Sequence, residues 1–150
     1  MHTEDFKLND SILESTWIDE LHKHFTSFYK EIVGAKAKIL NLQENWDGEG
    51  GKRYNKETLD RAAEFVKKLS FYLWRQTQKL ISSPNIFPGP DGSIDIHWKN
   101  TKFDLLVNIP ENPNETATFS SDDYEKNTVK GTFDQKKINP VLFYWLIEFL

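Results

Sequence analysis

Cysteine is absent from the 150-residue chain, which excludes disulfides, thiol nucleophiles, iron–sulfur clusters and thiolate zinc sites. Glycine (seven) and proline (six) are too sparse for a collagen-like or linker composition. Basic charge is also in short supply. Nineteen Lys and Arg stand against 23 Asp and Glu, a net charge of −4, so the broad phosphate neutralisation that direct nucleic-acid binding needs is not expected. No apolar run is long enough for a membrane. The most hydrophobic stretch, residues 141–150, would span about 15 Å as a helix, half of a ~30 Å bilayer core, and it contains Glu148. The opening residues, M-H-T-E-D-F-K-L-N-D, are polar and charged and do not read as a secretory leader. These absences together point to a cytoplasmic protein with no membrane partner.

The familiar chemical signatures are missing as well. There is no phosphate loop, no G-x-G-x-x-G run after a strand, no nucleophile elbow and no H-E-x-x-H pair. No cofactor and no metal site are expected. What the chain does have is rings: five Trp, five Tyr and eleven Phe, 14% of all residues, beside 28% charged ones. That balance belongs to a folded chain with a sizeable core, and the length suits one domain.

Residues 11–42 carry Leu13, Trp17, Leu21, Phe25, Phe28, Ile32, Ala35 and Ile39 at three- and four-residue steps, the stripe of a long helix. Asp10 or Ser11 can cap its start, and Gly34 predicts a kink or break near residues 33–35. A second helix is expected to begin at Asn55, a good N-cap, with Leu59, Ala62, Ala63, Val66, Leu69, Leu73 and Leu80 inward. Phe65, Phe71, Tyr72 and Trp74 lie on its other faces. So much apolar circumference demands cover on two sides, either from a β layer and the first helix or from a partner.

Beyond Pro84 the period changes to two. Residues 93–98 and 103–109 alternate as half-buried antiparallel strands, and Trp98 and Phe103 predict the hairpin end, with Ile96 opposite Leu105 and Ile94 opposite Val107. Further strands are expected at 116–120 and 128–133, joined by the acidic turn at 121–125. Pro88-Gly89-Pro90-Asp91-Gly92 marks a turn before the main strands. Asn139 caps a last helix with Pro140 at its first position. The expected fold is α+β: an antiparallel meander of about four strands carrying two long N-terminal helices and a short C-terminal one.

Three groups of residues compete for a function. The loop Asn45-Trp46-Asp47-Gly48-Glu49-Gly50-Gly51 sits between helices as a calcium loop does, but its twelfth position is Lys56 where a bidentate Glu is required. It is expected to be a turn pinned by Trp46 in the core and capped by Asp47. Asp95, His97 and Asp104 are the candidates for acid–base chemistry: in the register above, His97 faces Asp104 with Asp95 beside it. Their only nearby hydroxyl is Ser93, four residues and about 13 Å along a strand. His22 and His24, two apart on a helix, cannot share one ion, and His2 lies in the terminal segment.

The third group is aromatic. Phe71, Tyr72 and Trp74, and Phe143, Tyr144 and Trp145, crowd two helices with rings that cannot all face one core, since each residue turns the helix by about 100°. Phe71, Tyr72, Trp74, Tyr144 and Trp145 are therefore candidate anchors for a partner.

Asn45-Trp46-Asp47-Gly48-x-Gly50, then Ala62-Ala63, then Pro84 through Asp91-Gly92-Ser93-Ile94 to Trp98 resembles a set of small bacterial proteins of unknown function that share an N-W-D-G-x-G-A … P…D-G-x-I…W pattern. The likeness covers residues 45–107. This chain departs from it with Gly51 in place of the usual alanine. The resemblance implies that Trp46, Asp47, Gly48, Asp91, Gly92 and Trp98 build a helix–sheet junction. The expected function is a non-enzymatic interaction protein of a bacterial or phage-related system, of antitoxin, immunity or defence-accessory type, binding another protein or itself as a homodimer. The alternatives are a hydrolase using His97 with Asp95 or Asp104, and an acidic mimic of nucleic acid.

Overall fold

The computed structural model describes residues 15–125 and 127–150, with side chains from residue 22 onward except at 24, 25 and 29. Helix α1 (Ser15–Leu40) and helix α2 (Lys56–Thr77) precede strands β1 (Asn85–Pro88), β2 (Ile94–Lys99), β3 (Asp104–Ile109), β4 (Ala117–Asp122) and β5 (Thr128–Phe133), and helix α3 (Pro140–Ile147) ends the chain. The strands form one antiparallel sheet in sequential order β1-β2-β3-β4-β5. The α+β class and the meander are as expected; the sheet has five strands rather than four. The extra one, β1, follows Pro84 and ends on Pro88, a stretch too short and too proline-rich to show alternation.

Alternation decides which sheet face is dry. Ile94, Ile96 and Trp98 of β2, Leu105, Val107 and Ile109 of β3, Ala117 and Phe119 of β4 and Phe133 of β5 are all buried on one face. Helix α2 lies against β2 and β3 on that face and also packs on α1 and α3. Its buried side chains Leu59, Ala62, Phe65, Val66, Leu69, Leu73 and Trp74 wrap more than half of it. The two-sided cover demanded by the sequence thus comes from within the chain. Asn55 caps α2 by accepting from the Thr58 N–H, and Asn139 caps α3 by accepting from Leu142 N–H with Pro140 at the first turn. Leu80, read as the last residue of the α2 stripe, lies beyond the helix and is exposed, because α2 stops at Gln78, which adopts a left-handed conformation.

Two further expectations need correction. The β2–β3 register is Ile94↔Ile109, Ile96↔Val107, Trp98↔Leu105 and Lys99↔Asp104, two residues away from the sequence reading. A slip of two keeps every side chain on its face, so the hydrophobic pattern could not detect it. The turn decides: the Asn100 side chain accepts from the N–H groups of both Lys102 and Phe103, closing a tight loop after Lys99. Helix α1 does not break at Gly34 either. Phe28, Ile32 and Ile39 hold its inner face to the core, while Gly34 is exposed. The predicted cap at Asp10 or Ser11, Leu13, and the side chains of Trp17, Leu21 and Phe25 lie outside the described residues.

Gly34 sits in helical backbone, and a Cβ added there meets nothing within 4 Å. Gly34→Ala is expected to raise stability by about 0.5–1 kcal/mol through the reduced entropy of the unfolded chain, measured by urea unfolding. An unchanged or lower midpoint would contradict the open, helical setting of Gly34.

Candidate functional site

Residues 45–51 form a ring of local hydrogen bonds. Asn45 N–H donates to Gly51 C=O at 2.6 Å, and Asn45 Oδ1 accepts from Gly50 N–H at 2.6 Å. Asp47 Oδ1 accepts from the N–H groups of Glu49 and Gly51, both at 2.9 Å. Those two donors hold the Asp47 carboxyl below its ordinary value of 3.8. Asp47 Oδ1 thus serves the loop's own backbone. Lys56, at the twelfth position, pairs with Asp60. Gly51 explains the departure from alanine: a Cβ there would stand 2.6 Å from Trp46 Nε1 and 2.8 Å from Asp47 Oδ1.

Trp46 is not in the core. It is 37% exposed, its Nε1–H donating to Lys52 C=O at 3.1 Å and its ring resting against Tyr54. Tyr54 is the residue that sequence reasoning missed. Buried, it donates its hydroxyl to Gly89 C=O at 2.6 Å and so ties the 45–51 loop to the β1–β2 turn. Burial, followed by the nearby Asp47 carboxylate, raises its pKa. In that turn Asp91 adopts φ 54° and Gly92 φ 80°. A Cβ on Gly92 would collide with the Glu111 carboxylate. Trp98, fully buried, donates its Nε1–H to Ser82 C=O at 2.9 Å. Trp46, Asp47 and Trp98 are thus held by their own hydrogen bonds, while Gly48 (φ 75°) and Gly92 take the left-handed backbone that favours glycine.

The outward face of the sheet carries the acid–base candidates. His97 Nε2 lies 2.7 Å from Asp104 Oδ1, both part-buried. The contact is diagonal, because His97 stands opposite Leu106 and Asp104 opposite Lys99. Asp95 does not join them. The Asn108 side-chain amide donates to Asp95 Oδ1 and to Ser93 Oγ, both at 2.8 Å, and Ser93 Oγ donates in turn to Pro90 C=O. The expected trio is two separate units, a His–Asp pair and a Ser–Asn–Asp chain. The hydroxyl of the second unit donates to a backbone carbonyl, and among the described residues the hydrogen bond of the His97 ring is to Asp104, not to a hydroxyl. A partly exposed pair of this kind is worth under ~1 kcal/mol.

The aromatic candidates divide. Trp74 is 2% exposed and is removed from the partner surface. Phe71 and Tyr72 are half-buried and touch each other. Trp145 is half-buried between Phe103 (ring centroids 5.5 Å) and Phe149 (4.7 Å). Phe143 is buried, whereas Tyr144 is 43% exposed, with Val141 at 59% one turn before it. A groove of about 590 Å³ between α1 and β1 collects further exposed rings, Trp46 and Phe87, with Gly34, Leu42, Pro84 and Pro88 in its walls.

No described helix is long and apolar enough to cross a membrane, and no group of three or more His, Asp or Glu among the described residues is placed to hold a metal ion. Comparison with protein-family models, with curated proteins and with solved structures finds no match to the chain.

Tyr54→Phe leaves the Gly89 carbonyl without its donor and is expected to cost about 1–2 kcal/mol by urea unfolding, with a shift of the Trp46 indole N–H signal in NMR spectra. An unshifted indole would break the proposed tie between loop and turn. Asp47 has a lowered folded pKa, so its contribution is complete above the ordinary value of 3.8 and disappears as the pH falls through the lower folded value. The Trp46 indole signal is therefore expected to hold steady from neutrality down to that value and to move only in stronger acid, a step that Asp47→Ala removes.

Proposed function

We propose that this chain is a non-enzymatic protein-interaction module, of the antitoxin, immunity or defence-accessory kind, working in a bacterial or phage-related cytosolic system. The observation that carries the reading is α3. Its sequence, PVLFYWLI, has no charged residue, and a helix apolar all round is ordinarily buried all round. Here Leu142, Phe143 and Leu146 enter the core while Val141 and Tyr144 face solvent. A valine and a tyrosine one turn apart supply the amphipathic, low-entropy contact area that interface anchors use. The site is filled by another protein or by a second copy of the chain.

The acid–base face supports a hydrolase less well, because among the described residues His97 bonds to Asp104 and to no hydroxyl that it could activate. An acidic nucleic-acid mimic would need one continuous anionic surface. The outward sheet face instead mixes Asp104 and Asp122 with His97, Lys99 and Lys130. The bacterial setting rests on the N-W-D-G-x-G resemblance.

The test is light scattering after size exclusion, combined with a pull-down from native lysate. Wild type is expected to dimerise or retain a partner. Val141→Glu with Tyr144→Glu is expected to weaken that association at least tenfold, about 1.4 kcal/mol, with an unchanged melting temperature. A monomer that retains nothing would overturn the reading.

A further inference from the structure

Among the described residues, no strand pairs with the outer edge of β1, and the groove between α1 and β1 runs along that edge. Gly89 N–H donates to Ser93 C=O, in line with the β1–β2 register of Phe87↔Asp95 and Asn85↔His97. In an antiparallel ladder bonded and unbonded residues alternate, so Phe87 and Asn85 spend their backbone groups on β2. Ile86 and Pro88 then turn theirs the other way, towards the groove: one N–H and two C=O groups. Residues 84–88 form one wall of this groove, and Gly34, Ala35, Lys38, Ile39 and Leu42 stand across it.

We infer that this groove receives an extended segment of another protein, which enters as a sixth strand beside β1. The inference shares with the proposed function the premise that the chain binds a protein, but it uses a surface separate from α3. Three features specify the occupant. The open edge is richer in acceptors than donors, so the incoming segment must bring its own N–H groups at every second residue and cannot have proline there. Trp46, 37% exposed, and Phe87, 46% exposed, offer apolar contact to the side chains that alternate between those positions. Charge sets direction. Glu31 and Lys38 also line the groove. Seven residues apart on α1, they are separated by about 10.5 Å, the length of about three strand residues. A segment with a basic residue at one end and an acidic one three or four positions away complements both.

A second copy of β1 does not meet this description. Two such edges facing each other would offer one N–H apiece between Pro84 and Pro88, and the α1 helices on both sides would compete for the same space. The two prolines thus disfavour sheet-to-sheet growth while leaving a partner that supplies donors free to bind.

The experiment uses the full chain as bait for a phage-displayed library of random linear dodecapeptides, with the enriched sequences then made as synthetic peptides. Enriched peptides are expected to alternate apolar residues, to shift the Trp46 indole signal and to slow hydrogen exchange at the Ile86 amide. N-methylation at one alternate set of peptide residues should lower affinity at least tenfold, and methylation of the other set should not. Gly34→Leu fills the groove from a helical position with open space and is expected to abolish binding without loss of stability, as is Phe87→Ser. The Val141→Glu, Tyr144→Glu protein should bind the peptides normally. Equal sensitivity in both methylated sets, insensitivity to Gly34→Leu, or no enrichment at all would overturn the sixth strand. None of these results bears on α3, whose association is read separately by light scattering.

Discussion

One face of the sheet has to be dry, and α2 is what dries it. Isoleucine, leucine, valine and phenylalanine from four strands rise from that face, and burying each such side chain is worth about 1.5–3 kcal/mol. Helix α2 can cover them only if it is itself apolar over most of its circumference. A helix of that composition cannot then present its flanks to water. The positions of α1 and α3 follow from this demand, since each closes a part of α2 that the sheet leaves open. The Lys36–Asp60 pair at 2.6 Å trims the α1–α2 seam; Lys36 is the main cause of the lowered Asp60 pKa, but a surface pair of this kind contributes little. The hydrophobic requirement comes first and the charges follow it.

Features governed by local periodicity or capping could be read from the residues. The described part of the α1 stripe, Phe28, Ile32 and Ile39, the α2 stripe from Leu59 to Leu73, the caps at Asn55 and Asn139 and the alternation of β2 and β3 belong to this group. Features governed by a balance between distant parts could not. Gly34 weakens a helix locally, yet Ile32 and Ile39 grip the core on both sides of it, and the tertiary contact prevails. The two-residue register slip left the hydrophobic pattern unchanged, so only the Asn100 turn could set it. In β1, four residues that follow one proline and end on another are too few to show a period, and only pairing with β2 reveals a strand.

The candidate sites repeat the lesson at higher cost. Same-face placement brought His97 near Asp104 even in the wrong register, because a diagonal contact across antiparallel strands is within reach of an imidazole. It could not show that Asn108 draws Asp95 away, since no sequence rule pairs those two types at that spacing. Trp74 and Trp145 looked like surplus rings when the helices were considered alone. The core absorbs the first, and a cluster with Phe103 and Phe149 absorbs most of the second. Tyr54 left no signal because it lies outside the W-D-G and D-G segments that it joins.

The two edges of the sheet show how one chain treats the same liability in two ways. Unpaired backbone groups on an edge invite association, and proteins usually blunt them. On β5 the register Ser121↔Val129 and the Asp123–Asn127 bond leave Thr128, Lys130 and Thr132 facing outward. An exposed lysine at the middle of that edge costs a desolvation penalty to anything that would pair there. The β1 strand itself, Asn85-Ile86-Phe87-Pro88, carries no charged residue. Prolines at 84 and 88 shorten the edge to a single donor, and helix α1 stands across from it as a wall. A lysine repels every strand alike, whereas a short, proline-framed, acceptor-rich edge in a groove discriminates by what the partner brings. The aromatic side chains that stayed in water beside it, Trp46 and Phe87, are placed where that discrimination would be made.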